Sequence, residues 1–273
     1  MSNTDDGLRR IALGVEYQGS HYHGWQLQSK PEMVTVQGEL EKALACVANQ
    51  HIRVSCAGRT DAGVHATAQV VHFDTSVVRP NKAWIYGSNN LLPDDIAVRW
   101  AQSVDTDFHA RFSATGRRYR YIIYNSPVRT GILRQGLTWQ PLPLDADLMH
   151  TEAQSLAGRH DFSSFRASRC QANSPVREVY SISVVRHRDL VIIDIHANAF
   201  LHHMVRNIAG VLMGIGSGRR EPGWTQEVLL AKDRKLADVT AQPNGLYLIG
   251  VDYPDKWNLP PVPLGPVFLQ AVD

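Results

Sequence analysis

The same order of strand and helix patterns occurs twice along this chain, and this order constrains the fold more than any other feature. In the first half, short apolar runs at residues 11–17, 52–57, 68–73 and 96–104 are typical of strands. Apolar residues at helical spacing predict a helix after Thr35, its N-cap, and a second helix over residues 81–91. The resulting order, strand–helix–strand–strand–helix–strand, is that of a split βαβ, or ferredoxin-like, half.

The second half repeats this architecture without a visible sequence repeat. Strands are predicted at residues 116–125, 178–185, 190–197 and 246–252, and helices at residues 145–157, 201–216 and 225–231. Residues 108–115 have no clear period and predict a junction. We therefore expect an N-terminal domain over residues 1–107 and a C-terminal domain over residues 108–273. The fold class is α+β, with mainly antiparallel sheets and one sheet face open to form a cleft.

Composition sets wide limits on function. A hydrophobic content of 44% and a net charge of +2 are ordinary for a globular protein, so any basic surface must come from clustered residues. Three widely spaced cysteines without a CxxC motif argue against disulfides and a cysteine-rich zinc site, which favours a reduced, cytoplasmic protein. No apolar run reaches about 18 residues, so we expect no membrane span.

A charged stretch lies between two apolar runs. Gly58 and Gly63 bracket Arg59 and Asp61. In an extended segment Arg59 and Asp61 point to the same side, and the guanidinium would keep the carboxylate ionised. This pattern presents an acidic nucleophile at the edge of a cleft. A surface turn with a local ion pair is the alternative.

Arginines cluster elsewhere in the chain. Arg118 and Arg120 share one strand face and predict phosphate contacts, because like charges side by side need a partner. Tyr119 and Tyr121 point the opposite way, and an aromatic ring on that side could stack on a base. Further candidates for contacts with a nucleic acid are Arg111 and a pair at helical spacing, His202 and Arg206.

Motifs spread over about residues 9–253 resemble the tRNA pseudouridine synthase A family. The most specific is GRTDAGVHA at residues 58–66. The others keep the family's order: YQG at 17–19, GWQ at 24–26, TVQGELE at 35–41, NLLP at 90–93, FHAR at 108–111, RYRY at 118–121, GRHDF at 158–162 and FLHHMVRN at 200–207.

The resemblance implies a reaction and roles for particular residues. Asp61 would be the nucleophile, attacking C1′ or uracil C6, with Arg59 beside it. Tyr119 would lie against the uracil and serve as a base or relay, and Arg206 would belong to the same pocket. Substrate binding would also involve Arg118, Arg111 and His202.

The same resemblance implies partners and an arrangement of domains. Uridines 38, 39 and 40 of the tRNA anticodon stem-loop would be isomerised by a homodimer of two ferredoxin-like domains with joined sheets and a basic cleft between them. The redox-neutral reaction needs no cofactor and no metal. The sequence agrees, because it contains no GxGxxG, no GxxxxGK[ST] and no HExxH motif.

Two other functions stay open at this point. A glycosidase-like hydrolase would need a second carboxylate about 5 Å from Asp61, for which Asp74 and Asp161 are candidates. An RNA-binding module without catalysis would fit a ferredoxin-like sheet, although the chain lacks an RNP1 aromatic pattern.

Overall fold

The computed structural model describes residues 7–28, 33–168 and 170–269. The chain forms two compact units. Unit 1 contains the described residues up to Thr115 and those from Ile249 onward, and unit 2 contains Gly116–Leu248.

Unit 1 is an antiparallel sheet with helical segments between its strands. Its elements are β1 (Arg9–Tyr17), α1 (Val36–Ala48), β2 (Ser55–Cys56), β3 (His65–Thr75), a π-helical segment (Ala83–Gly87) and β4 (Ile96–Val104). Strand β1 lies between β4 and β3, and β2 pairs with β3. This is the βαββαβ order predicted from the sequence, and the second helix covers residues 81–89, with the π-helical segment at its centre.

Local chemistry fixes the ends of α1. The hydroxyl of Thr35 accepts a hydrogen bond from Gly38 N (3.2 Å), as an N-cap does. The helix ends at Asn49, which adopts a left-handed conformation with φ 51°. Its buried face includes Val36, Leu40 and Leu44. The predicted helix and its cap are thus confirmed.

A small hydrophobic core of unit 1 includes residues that follow β10 in the chain. Trp100, Phe108 and Trp257 are buried together, and the rings of Phe108 and Trp257 meet edge to face at 5.2 Å. Tyr253 donates a hydrogen bond to the carbonyl oxygen of Ala110 (2.6 Å). These contacts explain why residues 108–115 and the chain after Ile249 pack with unit 1.

The division into units therefore differs from the expected domains. The expected boundary lay between residues 107 and 108, and the C-terminal domain ran to residue 273. In the structure unit 1 continues to Thr115, and the chain returns to it at Ile249, inside strand β10 (Leu246–Asp252).

Unit 2 is also a sheet with helices. Its elements are β5 (Gly116–Asn125), β6 (Thr138–Gln140), α2 (Ala146–Ala153), β7 (Gly158–Asp161), β8 (Val176–His187), β9 (Leu190–Ala197), α3 (Met204–Gly216), α4 (Trp224–Ala231) and the start of β10. The strand order is β5-β9-β8-β7, with antiparallel pairs, and β6 pairs in parallel with β5. The α+β class with mainly antiparallel sheets is confirmed, whereas joined sheets and a cleft between the domains stay predictions.

Two predicted elements differ from the structure. The apolar run at residues 52–57 forms a strand only at Ser55–Cys56, because the N–H of Val54 donates instead to the carboxylate of Glu41 in α1 (2.9 Å). The helix predicted over residues 201–216 begins at Met204, because His203 has a φ of 63° and cannot continue a right-handed helix.

Within the described ranges, no helix combines the length and the apolar character needed to cross a bilayer.

Candidate active site

Asp61 lies in a loop of residues 57–64 that joins β2 to β3, referred to here as the aspartate loop. Its side chain is half-buried, between the buried Thr60 and the exposed Ala62. Val64 N donates to the carbonyl oxygen of Asp61 (3.1 Å), which closes a turn. Gly63 makes this turn possible, since its φ of 78° is strained for any side chain.

The side chain of Gln69 fixes the start of the aspartate loop. Gln69 is fully buried in β3, and its amide meets both backbone groups of Gly58. Its Nε2 donates to the Gly58 carbonyl oxygen (2.6 Å), and its Oε1 accepts from Gly58 N (3.3 Å). The amide thus continues the strand ladder where β2 has ended.

Thr60 fixes the middle of the aspartate loop. Its hydroxyl shares a hydrogen bond of 2.8 Å with that of Tyr17, and its carbonyl oxygen accepts from Trp25 N (3.0 Å). Gly24 lies so close that a Cβ there would be 2.8 Å from the Thr60 carbonyl oxygen and 3.1 Å from the carbonyl carbon of Asp61. Any larger residue at position 24 would displace the residue that carries the carboxylate.

The end of the aspartate loop is attached to the residues after β1. His65 Nδ1 accepts a hydrogen bond from Gly19 N (3.0 Å), which requires that this nitrogen carry no proton. A Cβ at Gly19 would be 1.9 Å from the carbonyl oxygen of Val64. The backbone of Asp61 is thus held from both sides in advance of any substrate.

Two arginine side chains lie near the beginning of the aspartate loop. Burial raises the pKa of the Cys56 thiol to about 12, while the charges of Arg59 and Arg111 lower it by a smaller amount. Both guanidinium groups therefore lie within electrostatic range of Cys56. The thiol therefore stays protonated near neutral pH and is not a nucleophile there.

The expected contact between Arg59 and Asp61 is not a direct ion pair. Arg59 is exposed, and among the described residues no ion pair joins it to Asp61. Arg59 therefore contributes charge at the rim of the aspartate loop.

Neither candidate for a second catalytic carboxylate has the character of a general acid. Asp74 accepts from the Nε and the Nη2 of Arg10, both at 2.7 Å, and this contact holds the pKa of its carboxyl below the usual value. Burial raises the pKa of Asp161, but hydrogen bonds from Ser163 and the charge of Lys232 leave it lowered overall. A hydrolase needs an acid whose pKa is raised.

Tyr119 lies on β5 in unit 2. It is 8% exposed, and its ring meets that of Phe200 edge to face at 4.9 Å. Tyr121, two residues on, is fully buried, and its hydroxyl bonds to Thr138 (2.7 Å) and to the carbonyl oxygen of Gln242 (2.8 Å). Tyr121 is therefore a core residue, and of the two tyrosines only Tyr119 stays a candidate for stacking on a base.

Arg118 and Arg120 have a protein partner that the sequence analysis missed. Their Nε atoms donate to the two oxygens of Asp194 on β9, at 2.6 Å and 2.9 Å. Arg120 and Asp194 are buried, whereas the Arg118 side chain is 35% exposed. The argument that two like charges require a phosphate is wrong here, since Asp194 supplies the counter-charge.

Arg206 and His202 do not share a helix face. His202 is exposed in the turn before α3, and its ring lies 4.0 Å from that of His203. Arg206 is in the first turn of α3, and its Nε donates to the carbonyl oxygen of Ala241 (2.8 Å). The predicted pairing of residues 202 and 206 at helical spacing is thus wrong, because the helix begins at Met204.

The structure thus brings Asp61, Arg59 and Arg111 together in unit 1, while the other predicted site residues, Tyr119, Arg118, Arg206 and His202, lie in unit 2. Most residues that fix the aspartate loop lie in the motifs that carry the family resemblance, but Gln69 was not singled out from the sequence. Its position inside an apolar strand could have marked Gln69 as a structural residue, because a buried amide needs hydrogen-bond partners.

Comparison with known proteins places the chain among RNA-modifying enzymes. A family model described as tRNA pseudouridine synthase matches residues 14–113 and 153–254. A tRNA pseudouridine synthase A from Coxiella burnetii is 56% identical over 262 residues, covering 96% of this chain and 100% of that protein. A protein of the same name from Aliivibrio salmonicida is 58% identical over 260 residues, covering 95% and 98% of the two chains.

One solved structure, of the archaeal box H/ACA sRNP Nop10–Cbf5 complex, matches 74% of this chain and 44% of that chain with 12% identity. Its TM-score is 0.35, and the likeness adds nothing to the assignment.

Proposed function

Because this chain belongs to the tRNA pseudouridine synthase family, which isomerises uridine to pseudouridine in tRNA, we propose that it modifies uridines 38, 39 and 40 of the anticodon stem-loop with Asp61 as the nucleophile. The observation that carries this proposal is the aspartate loop. A half-buried carboxylate sits on a backbone fixed by Gln69 and Thr60, with two arginines nearby.

The reaction rearranges one base without loss of atoms. The carboxylate of Asp61 attacks either C1′ of the ribose or C6 of the uracil, and the bond between N1 and C1′ breaks. The uracil turns and C5 bonds to C1′. The bond between Asp61 and the substrate breaks, at C1′ when C5 displaces the carboxylate or at C6 by elimination, and the proton on C5 leaves while N1 gains one. Every atom of the uridine is retained, so this chain's own residues suffice and the proposal includes no cofactor and no metal.

Arg59 and Arg111 have an electrostatic role in this scheme. Their positive charge at the start of the aspartate loop attracts the phosphates that flank the target nucleotide. Arg111, which is exposed, would contact a phosphate directly.

Tyr119 is proposed as the residue on which the target uracil lies and as the base or relay for the C5 proton. The edge-to-face contact with Phe200 orients its ring. A ring fixed in this way stacks on a base at a low entropic cost. The proton would pass to the tyrosine hydroxyl only after the new bond between carbon atoms has formed.

Unit 2 supplies further proposed contacts to the tRNA. Asp194 holds one edge of the Arg118 guanidinium, and the exposed part of that side chain would reach a phosphate. Arg206, held by Ala241, and the exposed His202 would complete the set. We also place the enzyme in the cytoplasm, where tRNA is available, and expect it to act as a homodimer.

Mapping the modified positions tests the proposed specificity. An unmodified tRNA transcript with uridines at 38, 39 and 40 is incubated with the protein, labelled with a carbodiimide that marks pseudouridine, and read by primer extension. Stops at these positions are expected. Pseudouridine elsewhere in the tRNA would overturn the specificity but not the reaction, and released uracil would instead indicate a hydrolase.

A further inference from the structure

An aromatic ring projects from unit 1 next to one of the proposed RNA-binding arginines. Phe112, between β4 and β5, is 75% exposed. The guanidinium carbon of Arg111 lies 5.4 Å from the centre of its ring. Single exposed apolar residues are common and need no explanation, so the argument rests on how this ring is held.

Phe112 is the outer end of a column of four rings that begins in the core. Phe108 is fully buried, and His72 meets it edge to face at 6.0 Å. The ring of His109 lies 4.6 Å from that of His72, and the ring of Phe112 lies 4.4 Å from that of His109 at an angle of 35°. One side of Phe112 is thus supported from the interior.

The backbone of the same segment forms a closed loop. His109 N donates to the hydroxyl of Ser113 (2.9 Å), and Ser113 N donates to the carbonyl oxygen of His109 (2.8 Å). The Nδ1 atom of His109 accepts from Arg111 N (3.1 Å) and Phe112 N (3.3 Å). The exposed ring is therefore fixed before any ligand arrives, so little conformational entropy remains to be lost on binding.

A fixed, exposed aromatic ring beside a cation is suited to one kind of partner. Bases have flat π faces that stack on aromatic side chains whatever their sequence, and the phosphates between them attract arginine. Paired bases within a helix have no free face for such a ring. The partner that fits is an unpaired nucleotide.

We propose that Phe112 stacks on an unpaired nucleotide of the tRNA substrate while Arg111 contacts the adjoining phosphate. Phe112 thereby adds a contact outside the reacting uridine and helps to select RNA with a splayed-out base. This inference rests on the proposed function only in taking tRNA as the ligand.

The test measures binding apart from turnover. Affinity is measured for an unmodified tRNA transcript, using Asp61→Asn protein with and without a second change at position 112. Phe112→Ala is expected to weaken binding by about 5- to 150-fold, the range that stacking of one base supplies. Phe112→Trp keeps an aromatic face and should restore affinity, whereas Phe112→Leu should not. Tyr86→Ala is the matched control, because Tyr86 is 66% exposed in the same unit.

Transcripts with 2-aminopurine at one unpaired position at a time locate the contact. The protein that retains Phe112 is expected to quench the fluorescence of one of these probes, and the Phe112→Ala protein is expected not to. Unchanged affinity in Phe112→Ala, or full rescue by Phe112→Leu, would overturn stacking. A changed oligomeric state with unchanged RNA affinity would show that Phe112 contacts a second copy of the chain. Pseudouridine formation by protein with Asp61 intact, measured on the same tRNA, reports separately on the proposed function.

Discussion

Replacing Gln69 with leucine tests whether the aspartate loop must be fixed for catalysis. The change preserves most of the side-chain volume and removes both hydrogen bonds to Gly58. Each buried backbone group left without a partner costs about 1–3 kcal/mol, so the loss of two partners in Gln69→Leu should lower the free energy of unfolding by about 2–6 kcal/mol. A shift of the loop by about 1 Å would also slow catalysis by about 100-fold.

Gln37→Leu is the matched control for this experiment. Gln37 is also a buried glutamine, and its amide accepts from Leu27 N (3.0 Å) and donates to Glu41 (2.7 Å), without contact to the aspartate loop. Gln37→Leu should lower the free energy of unfolding by a similar amount. Only Gln69→Leu should slow the formation of pseudouridine.

The two effects are separated by two assays. Urea denaturation gives the free energy of unfolding, and single-turnover formation of pseudouridine at saturating tRNA gives the rate of the folded enzyme. If Gln69→Leu is destabilised but reacts at the normal rate, or if both variants slow equally, the positioning argument is refuted.

Three further predictions follow from the contacts in each unit. Burial lowers the pKa of His72 to about 4 from 6.5. Between about pH 6.5 and pH 4, His72 is protonated in the unfolded chain but not in the folded chain. The free energy of unfolding should therefore fall by about 1.4 kcal/mol for each unit by which the pH is lowered through this range. Urea titrations across this window should show the slope, and a flat profile would contradict it. Asp194→Asn should cost about 3–5 kcal/mol of stability, because the buried Arg120 loses its counter-charge, while Arg118→Ala should cost much less. Equal losses in thermal or urea unfolding would argue against a shared ion pair. Tyr119→Phe should keep tRNA affinity and lower kcat about 100-fold or more, as loss of a general base does. A normal kcat, with the chemical step rate-limiting, would leave Tyr119 only as a stacking residue.

The sequence predicted those elements whose cause is local. The capped helix α1 follows from Thr35 and its apolar spacing, and β10 has the predicted bounds, residues 246–252. Strands at residues 178–185 and 190–197 were also predicted, and the structure extends the first of them, β8, by two residues at each end, to Val176–His187.

The sequence did not predict contacts between distant residues. Asp194 lies 76 positions from Arg118, and nothing in the pattern of β9 marks it as the partner. Likewise, the return of the chain to unit 1 at Ile249 depends on burial of Trp257 beside Phe108. Side-chain contacts of this kind also decide which expected features of the site hold, as the contact of Asp194 with Arg118 and Arg120 shows.

The identity of the nucleophile is tested most directly by Asp61→Asn. The amide keeps the shape of the side chain and removes the nucleophilic carboxylate. The variant is incubated with unmodified tRNA, and the nucleosides are analysed by mass spectrometry after carbodiimide labelling, with tRNA affinity measured in parallel. We predict native affinity and no pseudouridine. Pseudouridine formed by Asp61→Asn protein that is free of deamidation would contradict the assignment.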